Sequence, residues 1–223
     1  WLIRVFHIHL LSAASKIGVI DYGGGNIRSL VKALETLGAA PRLVRSPEEF
    51  EDLSLVFFPG QGAFGDCMAK LQSLDLVDCL TQWIRDDRPF FGICIGYQLL
   101  FEGSEENPGV EGLSIFNGQV TKFPASELKV PHMGWNRTQL RKTDTTPWND
   151  LGPAPYFYYV HSYFPVPRNS ELTAATTDYG TPFTSAIQRG RLVATQFHPE
   201  KSQKSGMLLI QNFLIENGAT TEG

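Results

Sequence analysis

The sequence predicts an α/β fold: a three-layer, open, mostly parallel sheet with helices on both faces and a more β-rich second half. Three observations predict it. Short apolar runs at Ile17–Ile20, Leu55–Phe58 and Phe90–Ile93 lack the alternation of a half-exposed strand, so they read as strands buried on both faces. Stretches of helical periodicity separate them, the mark of a parallel sheet with crossover helices. A glycine-containing turn follows each run, and in such sheets the ligand site lies at the strands' C-terminal ends.

The elements follow in order. Ile17–Ile20 runs into the turn Asp21-Tyr22-Gly23-Gly24-Gly25-Asn26, whose Asn26 is a candidate helix cap. Ile27, Leu30, Val31, Leu34 and Leu37 have helical spacing, and Gly38 ends that helix. A second strand is expected near Arg42–Val44, and Pro47-Glu48-Glu49 reads as a helix start. Leu55–Phe58 ends in Pro59-Gly60-Gln61-Gly62, and one long helical region is expected from about Cys67 to Asp86. Phe90–Ile93 is followed at once by Cys94 and an apolar helix, Ile95–Phe101. Beyond Gly103 the runs shorten and turn β-like, at Leu113–Phe116, Tyr156–Phe164 and Leu192–Phe197, before a closing helix at about Lys204–Asn217.

Composition sets outer bounds. Of 223 residues, 42% are hydrophobic and 19% charged, which suits a packed core rather than a disordered chain. Nineteen basic against 23 acidic residues give a net charge of −4, against a charge-driven nucleic-acid binder. Three dispersed cysteines, Cys67, Cys79 and Cys94, form neither a disulfide framework nor a zinc ribbon, and fit a reducing cytoplasm. No apolar stretch is long enough for a membrane helix. No P-loop, dinucleotide fingerprint or metal-ligand spacing occurs, so no cofactor and no metal are expected. Residues 1–16 read as an extension only loosely like a signal peptide. Residues 17–217 read as one domain and 218–223 as a flexible C-terminus.

The sharpest local signal is Gly92-Ile93-Cys94-Ile95-Gly96, a G-x-C-x-G turn between strand and helix. A nucleophile elbow needs small neighbours for its sharp turn, and a helix N-terminus favours thiolate. Alone, the pentapeptide leaves a buried structural cysteine open. The second signal is Gln196-Phe197-His198-Pro199-Glu200. In extended chain, residues two apart share a side, so Glu200 can orient the His198 imidazole as the base for Cys94. A surface His-Pro turn is the alternative.

Together these motifs resemble the class I (triad) glutamine amidotransferases. Asp21–Asn26, Pro59-Gly60-Gln61-Gly62-Ala63-Phe64 and Pro131-His132-Met133-Gly134-Trp135-Asn136 resemble the branch that serves a cyclase in histidine biosynthesis. The resemblance runs from about Ile17 to Leu214. It implies a class I glutamine amidotransferase-like fold and hydrolysis of glutamine to glutamate and ammonia by Cys94, His198 and Glu200. It implies backbone oxyanion donors at Ile95 and in Gly60-Gln61-Gly62, with a peptide flip in that strand. It places glutamine against Gln98, Ser162 and Tyr163. It makes Pro131, His132, Met133, Trp135 and Asn136 the docking face for a β/α-barrel cyclase partner that receives the ammonia. Two other readings are a different amidotransferase or cysteine hydrolase on the same fold, and a non-catalytic relative.

Overall fold

The computed structural model describes residues 16–219, apart from 25, 126 and 144. The expected extension and tail therefore fall mostly outside the described residues. β1 (Ile17–Ile20) leads to α1 (Ile27–Thr36) and β2 (Pro41–Val44), then β3 (Leu55–Phe58), α2 (Phe64–Ser73) and α3 (Leu76–Arg85). β4 (Phe90–Ile93), α4 (Ile95–Gln98), β5 (Gly103–Ser104), β6 (Gly118–Lys122), β7 (His132–Leu140) and β8 (Tyr156–His161) follow. β9 (Tyr163–Pro167), β10 (Thr173–Asp178), β11 (Pro182–Arg189), β12 (Leu192–Thr195) and α5 (Gln203–Glu216) complete the order.

Nine strands form one sheet in the order β2-β1-β3-β4-β12-β11-β10-β7-β8. The pairings from β2 to β12 are parallel, and those from β12 to β8 antiparallel. β5, β6 and β9 make a small second sheet. Every residue of β1, β3, β4 and β12 is buried. Helices cover both faces of these strands. Successive side chains point to opposite faces, so Phe57 and Phe91 join α1 and α5 in one core, while Phe58 and Phe90 join α2 and α3 in the other. Phe57 stacks on Phe91 at 5.5 Å, with Phe213 of α5 edge-on to both. Burying each such ring is worth about 1.5–3 kcal/mol.

Several local expectations change. The helical region Cys67–Asp86 is two helices, broken where Asp75 takes a left-handed φ of 56°. Asp tolerates that conformation better than most residues, and the apolar spacing runs across the break. The helix after Cys94 stops at Gln98, and Leu113–Phe116 forms no strand. The two departures share a cause: the N–H groups of Leu113, Ile115 and Phe116 donate to the carbonyls of Leu99 and Leu100. Asn26 precedes α1 without a side-chain capping bond; its Oδ1 accepts from Ser29 and its Nδ2 donates to Glu200. The run Tyr156–Phe164 divides at Ser162, where the chain leaves β8 in the large sheet for β9 in the small one.

Candidate active site

The C-terminal ends of β3 and β4 open onto one small cavity, and the end of β12 lies beside Cys94. Cys94 stands at the tip of β4 with φ 54° and ψ −103°, a conformation L-residues rarely adopt. Its N–H donates to Thr195 O at 2.7 Å, pinning the elbow to β12. Its carbonyl accepts from the N–H groups of Tyr97 and Gln98, starting α4. The tight turn holds only because the flanking residues lack side chains: a Cβ on Gly92 would lie 2.7 Å from Gly96 O. Ile95 is the first residue of α4, where N–H groups have no intrahelical acceptor.

His198 follows β12, and its backbone is fixed by a bond from its N–H to Tyr158 O and by Ser202 Oγ, which donates to its carbonyl. His198 Nδ1 lies 2.8 Å from Glu200 Oε1, and both side chains are almost fully buried. Nε2, the nitrogen left for Cys94, makes no hydrogen bond in this conformation. The thiol nevertheless couples to the imidazole across that gap. Burial by itself lowers the His198 pKa, but Cys94 and then Glu200 outweigh it and raise it to about 10. The imidazolium is thus the favoured form near neutral pH.

The cavity measures about 260 Å³ and is lined by Gln61, Gly62, Cys94, Ile95, Gln98, Ser162 and Tyr163, all marked by the sequence, together with Glu106 and His161. Gln98 spends its Nε2 protons on Tyr163 O at 3.0 Å and Gln196 Oε1 at 3.2 Å, leaving Oε1 for a ligand. Gln61 N–H donates to the Tyr22 hydroxyl at 3.2 Å, and that hydroxyl also lies 3.2 Å from Gln61 O. The expected oxyanion donor is therefore engaged by Tyr22 in this conformation.

Three site residues escape the sequence reading. Glu106 brings a carboxylate to the cavity, with Oε2 accepting from Phe64 N–H at 2.8 Å. Gln196 donates to Cys94 Sγ at 3.5 Å. Asn26 reaches Glu200 Oε1 at 3.4 Å. Glu106 carries no local motif; Gln196 and Asn26 lay inside marked stretches, Gln196–Glu200 and Asp21–Asn26, but neither was assigned a role at the nucleophile or its base. Cys67 and Cys79 lie on α2 and α3, and burial pushes the Cys67 thiol up to about 12.

The 131–136 stretch divides. Met133 is 63% and Trp135 46% exposed, on one face of β7 with the exposed Tyr156 of β8. Pro131 and Val160 carry that apolar face to the cavity rim. His132, expected on the docking face, is buried: strand alternation turns it inward, between the rings of Tyr159 and Tyr179. Asn136 also points inward, bonding His132 and Asp178 O. Among the described residues no group of three or more His, Cys, Asp or Glu could hold a metal ion, and no helix is long and apolar enough to cross a membrane.

Fold and elbow together are those of the class I glutamine amidotransferases, whose family pattern the chain matches over residues 18–217. The chain is 46% identical over 210 residues to imidazole glycerol phosphate synthase subunit HisH of Nitrosococcus oceani, covering 92% of this chain and all of that one. It is 44% identical over 211 residues to the HisH subunit of Synechococcus elongatus, covering 94% and 97%. The chain belongs to the class I glutamine amidotransferase family, in its HisH branch. Solved structures agree on the fold. PurLQS from Thermotoga maritima superposes with a TM-score of 0.71 at 17% identity, covering 92% of this chain and 99% of that one. Another glutamine amidotransferase gives 0.69 at 20% identity, covering 91% and 98%.

Proposed function

We propose that the protein hydrolyses glutamine at Cys94 and delivers the ammonia to a cyclase partner, as the glutaminase subunit of an imidazole glycerol phosphate synthase in the cytoplasm. The observation that carries the reading is the strained Cys94 elbow, set in the lining of a small, partly polar cavity and coupled electrostatically to a buried His198–Glu200 pair.

The chemistry runs in two halves. The Cys94 thiolate attacks the side-chain amide carbon of glutamine, and the carbonyl electron pair moves onto oxygen. Ile95 N–H stands ready for that oxyanion. Gln61 N–H can join it only by turning away from Tyr22. The intermediate collapses as His198 gives its Nε2 proton to the leaving nitrogen, so ammonia departs and a glutamyl thioester remains. His198 then takes a proton from water, whose oxygen attacks the thioester. Glutamate leaves, and the proton returns the site to its starting state. Glu200 holds Nδ1–H and stabilises the imidazolium throughout. Glu106 offers a carboxylate to the α-ammonium of glutamine, while Gln98, Ser162 and Tyr163 frame its α-amino-acid end. The partner docks on Met133 and Trp135, beside Pro131. There the ammonia joins a phosphoribosyl-formimino carboxamide ribonucleotide to give imidazole glycerol phosphate and an aminoimidazole carboxamide ribonucleotide.

The test is glutamate release from glutamine by wild type and Cys94→Ala, each alone, with the cyclase, and with the cyclase plus its nucleotide. Release that depends on Cys94 and rises with the partner is expected. Strong release indifferent to the partner would point to another amidotransferase or hydrolase.

A further inference from the structure

Two buried histidines, His161 in the cavity lining and His132 beside it, are not used by the reaction scheme. His132 Nδ1 is 3.1 Å from His161 Nε2. His161 Nδ1 is 2.9 Å from Tyr163 O. Asn136 Nδ2 is 3.2 Å from His132 Nε2. These contacts admit one arrangement of protons. A carbonyl only accepts, so His161 carries its proton on Nδ1. Its Nε2 then accepts, which puts the His132 proton on Nδ1. His132 Nε2 in turn accepts from Asn136, whose amide is oriented by its bond to Asp178 O at 2.9 Å and by Arg137 N–H, which donates to its Oδ1 at 2.7 Å. Burial lowers the pKa of His132 to about 4 and of His161 to about 3, so both rings stay neutral at pH 7 and the direction is kept.

The far end of this chain meets the nucleophile. Tyr163 O accepts from His161 on one side and from Gln98 Nε2, at 3.0 Å, on the other. Gln98 donates its second amide proton to Gln196 Oε1 at 3.2 Å, which turns Gln196 Nε2 toward Cys94 Sγ at 3.5 Å. Buried hydrogen-bond networks of this kind fix geometry because a broken link leaves an unpaired polar group.

We propose that His132 and His161 are positioning residues: a tautomer-locked pair that fixes the Tyr163 carbonyl and, through Gln98 and Gln196, the hydrogen bond to the Cys94 sulfur. The proposal deepens the glutaminase reading and rests on it for its effect on turnover. A donor aimed at sulfur holds it in place for attack, so loosening that bond slows the sulfur's reactions.

The experiment has three readouts. In ¹⁵N-labelled wild type, NMR of the imidazoles reports the tautomers; both rings are expected protonated at Nδ1. The rate of Cys94 alkylation by iodoacetamide reads the thiol in the free subunit. The kcat and KM for glutamine read it in the complex with the cyclase. His132→Phe keeps a ring between the two tyrosines but removes the donor, while His132→Asn keeps a donor near the Nδ1 position. His132→Phe is expected to melt near wild type yet lose roughly tenfold in alkylation rate and kcat, the cost of one hydrogen bond, with KM changing less. His132→Asn is expected to recover most of the loss. A folded His132→Phe with wild-type alkylation and kcat would overturn the proposal, as would an Nε2–H tautomer on either ring. Should His132→Phe fail to fold, the tautomers and the alkylation rate of His132→Asn decide. A wild-type complex that hydrolyses no glutamine would sink the glutaminase reading instead, and the tautomers and alkylation rates would still judge the pair.

Discussion

Replacing Gly92 with alanine puts a methyl group into the contact that seats the elbow. The added carbon would lie 2.7 Å from Gly96 O, 3.0 Å from Gly96 C and 3.1 Å from the Phe90 ring. A carbon normally sits about 3.3 Å or more from a carbonyl oxygen, so the overlap is roughly 0.6 Å. Two of the three neighbours are backbone, and Gly92 itself is held between Phe58 of β3 and Ala194 of β12. The relief therefore falls on the Cys94–Gly96 turn. Overpacking of this kind costs about 1–3 kcal/mol. At about 2–4 °C per kcal/mol for a chain of this size, a middle value lowers Tm by roughly 4–8 °C. Turnover should suffer more, because a displacement approaching 1 Å at a nucleophile costs up to about 10²-fold. The assay pairs a thermal melt with glutamate release by the complex. Gly103→Ala is the control: its new carbon meets the end of the Gln119 side chain at 3.3 Å, which can move aside. Gly92→Ala with wild-type Tm and turnover would refute the close-approach argument.

Three further outcomes follow from the site. Glu200→Gln removes a hydrogen bond and a charge that raise the His198 pKa, so an NMR titration should place that pKa lower, and turnover should fall by about 10²-fold or more. Because the folded-state pKa is raised, the stability His198 contributes is full below about 6.5 and fades as pH climbs through about 10. An advantage of wild type over Glu200→Gln that grew with pH in that window would contradict the assignment. Glu106→Gln should raise KM for glutamine by about tenfold or more with a smaller effect on kcat, the signature of a lost charged contact to bound substrate. A fall in kcat alone would argue against the α-ammonium role. Trp135→Ala should leave Tm nearly unchanged, since the side chain is 46% exposed, yet weaken cyclase binding about tenfold or more. Equal affinity by calorimetry would move the docking face elsewhere.

The parts legible in the sequence are those where local pattern and chemistry coincide. Unbroken apolar runs marked β1, β3 and β4 because strands covered on both faces have no polar side to show. Cys94, His198 and Glu200 were legible because each sits in a turn whose small or rigid neighbours are required by geometry. The helix break at Asp75 was not, because the apolar residues keep facing the core on either side of it. His132 illustrates a subtler limit: its motif was visible, but strand alternation turns its ring inward, to the face opposite Met133 and Trp135. Glu106 carries no local motif, and only the fold brings it to the cavity beside Cys94. Gln196, likewise, acts through a contact made across the chain.

The central claim is that Cys94 carries the glutamyl group. The most direct measurement is acid quenching of the complex during glutamine turnover, followed by peptide mapping by mass spectrometry. A glutamyl adduct on the Cys94 peptide that disappears when glutamine is exhausted, and never forms in Cys94→Ala, is the predicted result. Sustained glutamate release with no such adduct, or release undiminished in Cys94→Ala, would contradict it.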